Sequence, residues 1–315
     1  MRILLLLPIF LLMRLMLNAQ KPFIHEGSAD PSAMVKEGTV YVYPSHDYYR
    51  ENKNFTMYDY KVYSSNDLIH WKDHGVILRN SDIPWCNNPS GLYDPSAISV
   101  NGRTFFYFFI SKNIDKYAEA GVASSNSPIG PFKVNSEKPL LSADYYPNKR
   151  NASPKAFIDD DGSPYLIWGS GGDFMIQPLK KNMMELEGND PIVLNDQLPE
   201  YMEACWIHKY NKKYYISYTT KTTRGIHYAI SDSAIDSGYV YKGQFMPRHN
   251  TWTHHHSIIE FKGQWYIFFH TEAFGNRFYR QACIEHLFYK RNGEIAPVQP
   301  SFYGVGPYPS NTYIQ

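Results

Sequence analysis

Polar and apolar positions along the chain repeat one phrase five times. A polar residue opens a short apolar run, a turn follows, and an aromatic run comes after it. The first copy is Ala29-Asp30-Pro31-Ser32-Ala33-Met34-Val35, turning at Gly38 into Val40-Tyr41-Val42-Tyr43. The second runs from Asp94-Pro95-Ser96-Ala97-Ile98 through Asn101-Gly102 into Phe105-Phe106-Tyr107-Phe108-Phe109. The third runs from Ser153-Pro154-Lys155-Ala156-Phe157 through Asp161-Gly162 into Tyr165-Leu166-Ile167-Trp168. Glu203-Ala204-Cys205-Trp206-Ile207 and His254-His255-His256-Ser257-Ile258 open the fourth and fifth. The lead residues fall at 30, 94, 153, 203 and 254, in steps of 64, 59, 50 and 51. Outer runs repeat as well: Tyr60–Asp67, Gly121–Ser127 and Tyr228–Ser233. Helical periodicity is almost absent, and Met183-Met184-Glu185-Leu186 makes at most a turn. Hairpins recurring at this period predict an all-β chain folded as a five-bladed β-propeller.

The repeat also sets the domain reading. Residues 20–315 are long for one core, but a blade buries its faces only against its neighbours, so one propeller accommodates them all. Ahead of it, Ile3–Leu17 is apolar, broken by Pro8 and Arg14, and ends in Leu17-Asn18-Ala19. This reads as a signal peptide over residues 1–19, which predicts a secreted or periplasmic protein. The alternative, a membrane anchor, is disfavoured by the short run and by Arg14. No cysteine stands at the cut to carry a lipid.

Composition narrows the function classes. The net charge is +1 and no basic run occurs, so nucleic acid and acidic membranes have no electrostatic footprint. Three cysteines make no disulfide framework. Aromatics are 16% of the chain, with 27 Tyr and 6 Trp, which suits both strands and a sugar-binding surface.

In a propeller the entries to the innermost strands gather round the axis. The lead residues Asp30, Asp94, Ser153, Glu203 and His254 or His255 therefore converge. Carboxylates gathered there raise one another's pKa values, and glycoside cleavage needs such a group: one carboxylic acid for the leaving oxygen, one carboxylate for water. Alone, an Asp before Pro is commonly a turn residue. The histidines at 254–256 suit a metal or sugar site, or plain hydrogen bonding. Asp159-Asp160-Asp161-Gly162 lacks the spacing of a calcium loop and reads as a turn. Trp85, Tyr93, Trp206 and Trp252 lie near lead residues and suit either sugar stacking or the core.

Taken in order, several phrases resemble glycoside hydrolase family 43 over about residues 25–300. They are Ala29-Asp30-Pro31-Ser32-Ala33 with His46-Asp47, then Tyr63-Ser64-Ser65-Asn66-Asp67 with His70-Trp71-Lys72-Asp73-His74-Gly75. Phe157-Ile158-Asp159-Asp160-Asp161-Gly162, Glu203-Ala204-Cys205-Trp206-Ile207-His208, His255-His256-Ser257-Ile258-Ile259 and Tyr279-Arg280-Gln281-Ala282 follow. The pattern is most similar to the arabinofuranosidase and β-xylosidase branches, arabinoxylan arabinofuranohydrolases among them. The resemblance implies an inverting hydrolase with Asp30 as general base and Glu203 as general acid. It implies that a third carboxylate tunes the acid, from an Asp that is here Ser153. The family's Ala in blade two is here Asp94, so Asp94 is expected to do the tuning. His46, Trp85, Tyr93, Ser153, Trp206, His255 and Arg280 are expected around the sugar, and His255 is also the expected contact of a calcium ion. No cofactor is required, a structural calcium aside. The expected substrates are terminal α-L-arabinofuranosyl or β-D-xylosyl groups on arabinoxylan, arabinan or xylo-oligosaccharides, cleaved by a monomer. The alternatives are a non-hydrolytic carbohydrate-binding propeller and a shifted sugar, for example galactosyl, because of Ser153.

Overall fold

The computed structural model describes residues 22–305, apart from 52–53, 87–90, 114–116, 144, 146–149 and 302–303. The signal peptide expected over residues 1–19 lies outside the described residues. Five antiparallel sheets follow one another along the chain. Blade 1 holds β1 (Ala29–Lys36), β2 (Thr39–Ser45), β3 (Asp59–Ser65) and β4 (Lys72–Arg79). Blade 2 holds β5 (Gly91–Val100), β6 (Arg103–Asn113), β7 (Tyr117–Ser125) and β8 (Lys133–Val134). Blade 3 holds β9 (Lys155–Ile158), β10 (Pro164–Trp168), β11 (Met175–Pro178) and β12 (Ile192–Val193). Blade 4 holds β13 (Tyr201–Tyr210), β14 (Lys213–Thr220), β15 (Ile226–Ser231) and β16 (Val240–Met246). Blade 5 has three strands: β17 (His256–Phe261), β18 (Gln264–Thr271) and β19 (Gln281–Leu287).

The innermost strands form the ring. β1 touches β5 and β17, β5 touches β9, and β13 touches both β9 and β17. The expected five-bladed propeller is what the chain forms. Its core is divided into seams between blades, and this explains the unbroken aromatic runs. Successive side chains of a strand point to opposite faces. In β6, Phe106 and Phe108 enter the seam with blade 1, whereas Phe105, Tyr107 and Phe109 enter the seam with blade 3. In β18, Ile267 and Phe269 face blade 4 while Phe268 faces blade 1. A strand buried on both faces has no polar alternation to show.

Four inner strands carry the same irregularity at their mouths. Asp30 (φ 49°), Asp94 (φ 35°), Ser153 (φ 57°) and Ala204 (φ 62°) sit in the left-handed region. Register shifts mark bulges between Ala29 and Ser32, between Tyr93 and Ser96, and between Glu203 and Trp206. A bulge bends the strand and re-aims a side chain. Repeated round the ring, it turns the lead side chains into the axial pocket.

Candidate active site

One pocket of about 400 Å³ opens at the axis, and Asp30, Asp94, Ser153, Glu203, His255, Tyr93 and Arg280 all line it. They come from all five blades.

Asp30 is buried and held from three sides. Its Oδ2 accepts from the Ser45 hydroxyl at 2.8 Å, and its Oδ1 accepts from Arg280 Nη1 at 3.1 Å. His270 Nδ1 stands 3.4 Å from Oδ1. That contact is not a charged pair: Nδ1 accepts the Asp30 backbone N–H at 2.9 Å, so the ring proton sits on Nε2, 3.0 Å from the Thr253 carbonyl. Burial and Arg280 push the His270 pKa well below its ordinary value, in agreement. Burial alone would raise the Asp30 pKa; Arg280 first and His255 second outweigh it and hold the carboxyl below its usual range.

Arg280 itself is clamped. Its Nε and Nη2 donate to Asp47 Oδ2 and Oδ1, both at 2.9 Å, and its backbone N–H also donates to Asp47 Oδ2. This bidentate pair fixes the guanidinium between blade 5 and blade 1.

Asp94 is not a free carboxylate. Its Oδ1 accepts from Lys155 Nζ at 2.6 Å, and the same ammonium donates to the Pro95 carbonyl at 2.9 Å. Both side chains are buried. His255 Nδ1 lies 3.1 Å from Asp94 Oδ2, an ion-pair distance without hydrogen-bond alignment. Burial would raise the Asp94 pKa, but Lys155 and His255 hold it well below the ordinary carboxylate value. Burial would lower the His255 pKa, but Asp94, Asp30 and Glu203 push it up to about 9. His255 is thus an imidazolium at neutral pH. Its Nε2 faces Glu203 Oε1 at 3.9 Å. Glu203 Oε1 is buried and has no hydrogen-bond partner among the described residues.

Asp94, expected to tune the acid, is linked to Glu203 through His255 and does not bond it. The expected calcium contact is His255. Both His255 nitrogens face carboxylates, so neither is free to ligate a metal directly, and a calcium contact from this ring would run through water. Among the described residues no group of three His, Cys, Asp or Glu is gathered round a metal position.

Three expected sugar contacts lie outside the pocket lining. Trp206 donates its indole N–H to the Ile258 carbonyl at 3.0 Å, in the seam of blades 4 and 5. Trp85 stacks on Phe108 at 6.0 Å and lines a separate cavity. His46 turns to Asp59, with Nδ1 2.6 Å from Oδ1. Its neighbour Asp47, pointing the other way, is the one that meets the site. His254 packs against His249 at 4.3 Å, leaving His255 as the fifth lead residue in the pocket. Reading the sequence missed Lys155, Ser45 and Asp47. Ser45 joins two blades, since it also accepts the Asp94 backbone N–H at 2.9 Å. Cys205 is inert: burial pushes its thiol up to about 12.

The arrangement offers two carboxyl groups of opposite character. Asp30 is paired with Arg280, whereas Glu203 lines the cavity with one buried oxygen, Oε1, left without a hydrogen-bond partner beside His255. Such a pair suits acid–base work on a glycosidic bond.

Known proteins agree with that chemistry. A xylosidase/arabinosidase of Bacteroides ovatus is 31% identical over 90% of this chain and 99% of its own length. Xylosidase/arabinosidase 43A of Humicola insolens is 30% identical over 87% of this chain and 97% of its own. Among solved structures, a β-xylosidase/α-arabinofuranosidase from a compost microbial metagenome, in complex with xylotriose and in a calcium-free form, is 31% identical. It superposes with a TM-score of 0.77 over 90% of this chain and 99% of that one. The sequence model of Glycosyl hydrolases family 43 matches residues 19–295. The chain is a glycoside hydrolase and belongs to glycosyl hydrolase family 43.

Proposed function

We propose that the protein removes terminal pentose groups, α-L-arabinofuranosyl or β-D-xylosyl, from plant cell-wall glycans with inversion at the anomeric carbon. The observation that carries this reading is the meeting of Asp30 and Glu203, 173 positions apart in the sequence, in one axial pocket. Glu203, as general acid, protonates the glycosidic oxygen. Asp30, kept ionised by Arg280, takes a proton from a water on the opposite face of the sugar. Inversion requires the two carboxyl groups to stand about 6.5–9.5 Å apart to admit that water. In this reading Lys155 and Asp94 fix His255, and His255 orients Glu203 in place of the carboxylate that Ser153 cannot supply. No cofactor is required. The protein acts as a secreted or periplasmic monomer, a single propeller over residues 20–315 once residues 1–19 are removed. The names of the similar enzymes support a pentose.

Product release from arabinoxylan, arabinan, xylo-oligosaccharides and galactan tests this. The native protein should release one monosaccharide, with the β-anomer from an α-linkage or the reverse, seen by proton NMR before mutarotation. Glu203→Gln and Asp30→Asn should each lose about 10²- to 10⁴-fold in rate. Ser153 and the neutralised Asp94 favour a second reading, a propeller that binds glycans without cleaving them. Binding with no release from any of the panel would establish it.

A further inference from the structure

Four arginines line the axial pocket: Arg150, Arg224, Arg277 and Arg280. Arg280 is already matched by Asp47 and Asp30. Among the described residues the other three have no carboxylate at ion-pair distance, although the whole chain carries a net charge of only +1. The excess is local to the mouth. Arg150 Nε is buried with no hydrogen-bond partner. Arg277 lies 5.3 Å over the Trp252 ring and 5.0 Å over Phe278, an aromatic wall that holds its guanidinium at the rim. Arg224 is held at φ 59°.

A second cation approaches from the same side as Arg150. A Cβ on Gly172 would stand 2.6 Å from Lys221 Nζ, and one on Gly171 would stand 3.6 Å from Arg150 Cδ. Lys221 Nζ thus packs closely on Gly172, while Arg150 lies in ordinary contact distance of Gly171.

The chemistry of these groups selects their ligand. Arginine is donor-only, with five N–H groups in a fixed fork. A sugar hydroxyl is both donor and acceptor; a carboxylate only accepts. Covering three unmatched guanidiniums with a neutral sugar strips their water and leaves their mutual repulsion in place. A carboxylate relieves both, with paired charge-assisted hydrogen bonds.

We propose that this mouth takes an acidic glycan: the unit next to the cleaved pentose carries a uronic-acid carboxylate, held by Arg150, Arg224 and Arg277. The proposal rests on the hydrolase reading for the bond that is cut, but the charge preference is readable without turnover.

The test uses two probes of one shape: the released pentose linked to galacturonic acid, and the methyl ester of that disaccharide. Calorimetric titration of the Glu203→Gln protein, and kcat/KM of the native protein, read the ratio of acid to ester. The acid should be favoured about tenfold at low salt. The advantage should shrink towards one in about 1 M NaCl, where the Debye length is about 3 Å. Arg224→Gln/Arg277→Gln should lose it, with an unchanged melting temperature as the check on folding. Equal treatment of acid and ester at low salt by the native protein overturns the proposal, as does a ratio that survives the double substitution. Release from neutral oligosaccharides with no acid preference leaves the hydrolase reading intact and removes this one. Preferential binding of the acid with no release from any glycan does the reverse.

Discussion

At the scale of the residue, the buried pair Lys155–Asp94 governs the site. Lys155 Nζ and Asp94 Oδ1 are 2.6 Å apart and both side chains are about 4% exposed. Removing one partner of such a pair strands a charge in the interior. Lys155→Met should cost about 3–5 kcal/mol in denaturant unfolding, and Lys155→Met/Asp94→Asn should recover most of it. Additive losses would show that the two groups are independent. The carboxylates Asp30, Asp94 and Glu203 were legible from their places in the repeat. Lys155 was not, because a lysine two residues beyond a strand mouth reads as a solvated head on an apolar stem. Only the packing of blade 3 on blade 2 brings it to Asp94. His255 makes the same cluster respond to pH. Its folded pKa, about 9, exceeds the ordinary 6.5, so the folded state binds its proton more tightly. The stability this contributes is complete below about pH 6.5 and is lost as the pH rises through 9. Asp94, depressed below 3.8, works in the opposite sense: its contribution is present above that value and lost as the pH falls. Unfolding midpoints should therefore be flat between about pH 4 and 6.5 for these groups. The alkaline decline should be shallower in His255→Gln, and an identical decline in the variant would remove His255 as its source.

At the scale of the element, the bulged strand mouth aims the chemistry. The hairpin repeat was legible because turns and aromatic runs recur in order. The bulges were not: nothing in Glu203-Ala204-Cys205 announces a left-handed residue. That omission explains the misplaced Trp206. It lies three positions from Glu203, across a register shift, and turns into the seam of blades 4 and 5. His46 shows a related error: it turns to Asp59, and its neighbour Asp47 reaches the site only by holding Arg280. Ala204 at φ 62° tests the geometry. A β-branched side chain is poorly tolerated there. Ala204→Val should destabilise by about 1–3 kcal/mol and lower kcat by displacing Glu203, whereas Ala204→Gly should keep both close to native. Differential scanning calorimetry beside steady-state rates separates the two effects. A valine variant with native kcat would mean that Glu203 is aimed by something other than the bulge.

At the scale of the whole molecule, a ring of blades must be closed, and here the closure and the axial pocket share residues. Among the described residues blade 5 has three strands, and the segment before β1 runs against the start of its outer strand β19. Phe23 donates its backbone N–H to the Ala282 carbonyl at 3.0 Å, and Ser28 donates to the Arg280 carbonyl at 2.8 Å. Ala282 in turn donates to the Ser28 hydroxyl at 2.9 Å. The Phe23 ring packs on Trp71 of blade 1, 4.4 Å away, and on Phe268 of blade 5, 5.9 Å away. Arg280, whose carbonyl accepts one of these latch bonds, clamps Asp47 and reaches Asp30. Opening the ring therefore loosens the cation that keeps Asp30 ionised. Ser28 is fully buried, so Ser28→Ala leaves the Ala282 N–H without its acceptor and should cost about 1–3 kcal/mol. Amide hydrogen exchange should localise the damage: protection should fall at residue 28 and Ala282 before it falls in the inner strands β1 and β13. Activity should fall with it, because Asp30 rises towards an ordinary carboxylate as Arg280 withdraws, and the acidic limb of the rate profile should move to higher pH. A Ser28→Ala protein that loses protection evenly round the ring, with its acidic limb unmoved, would mean that the seam is held by its apolar packing and that Arg280 keeps its place without the latch.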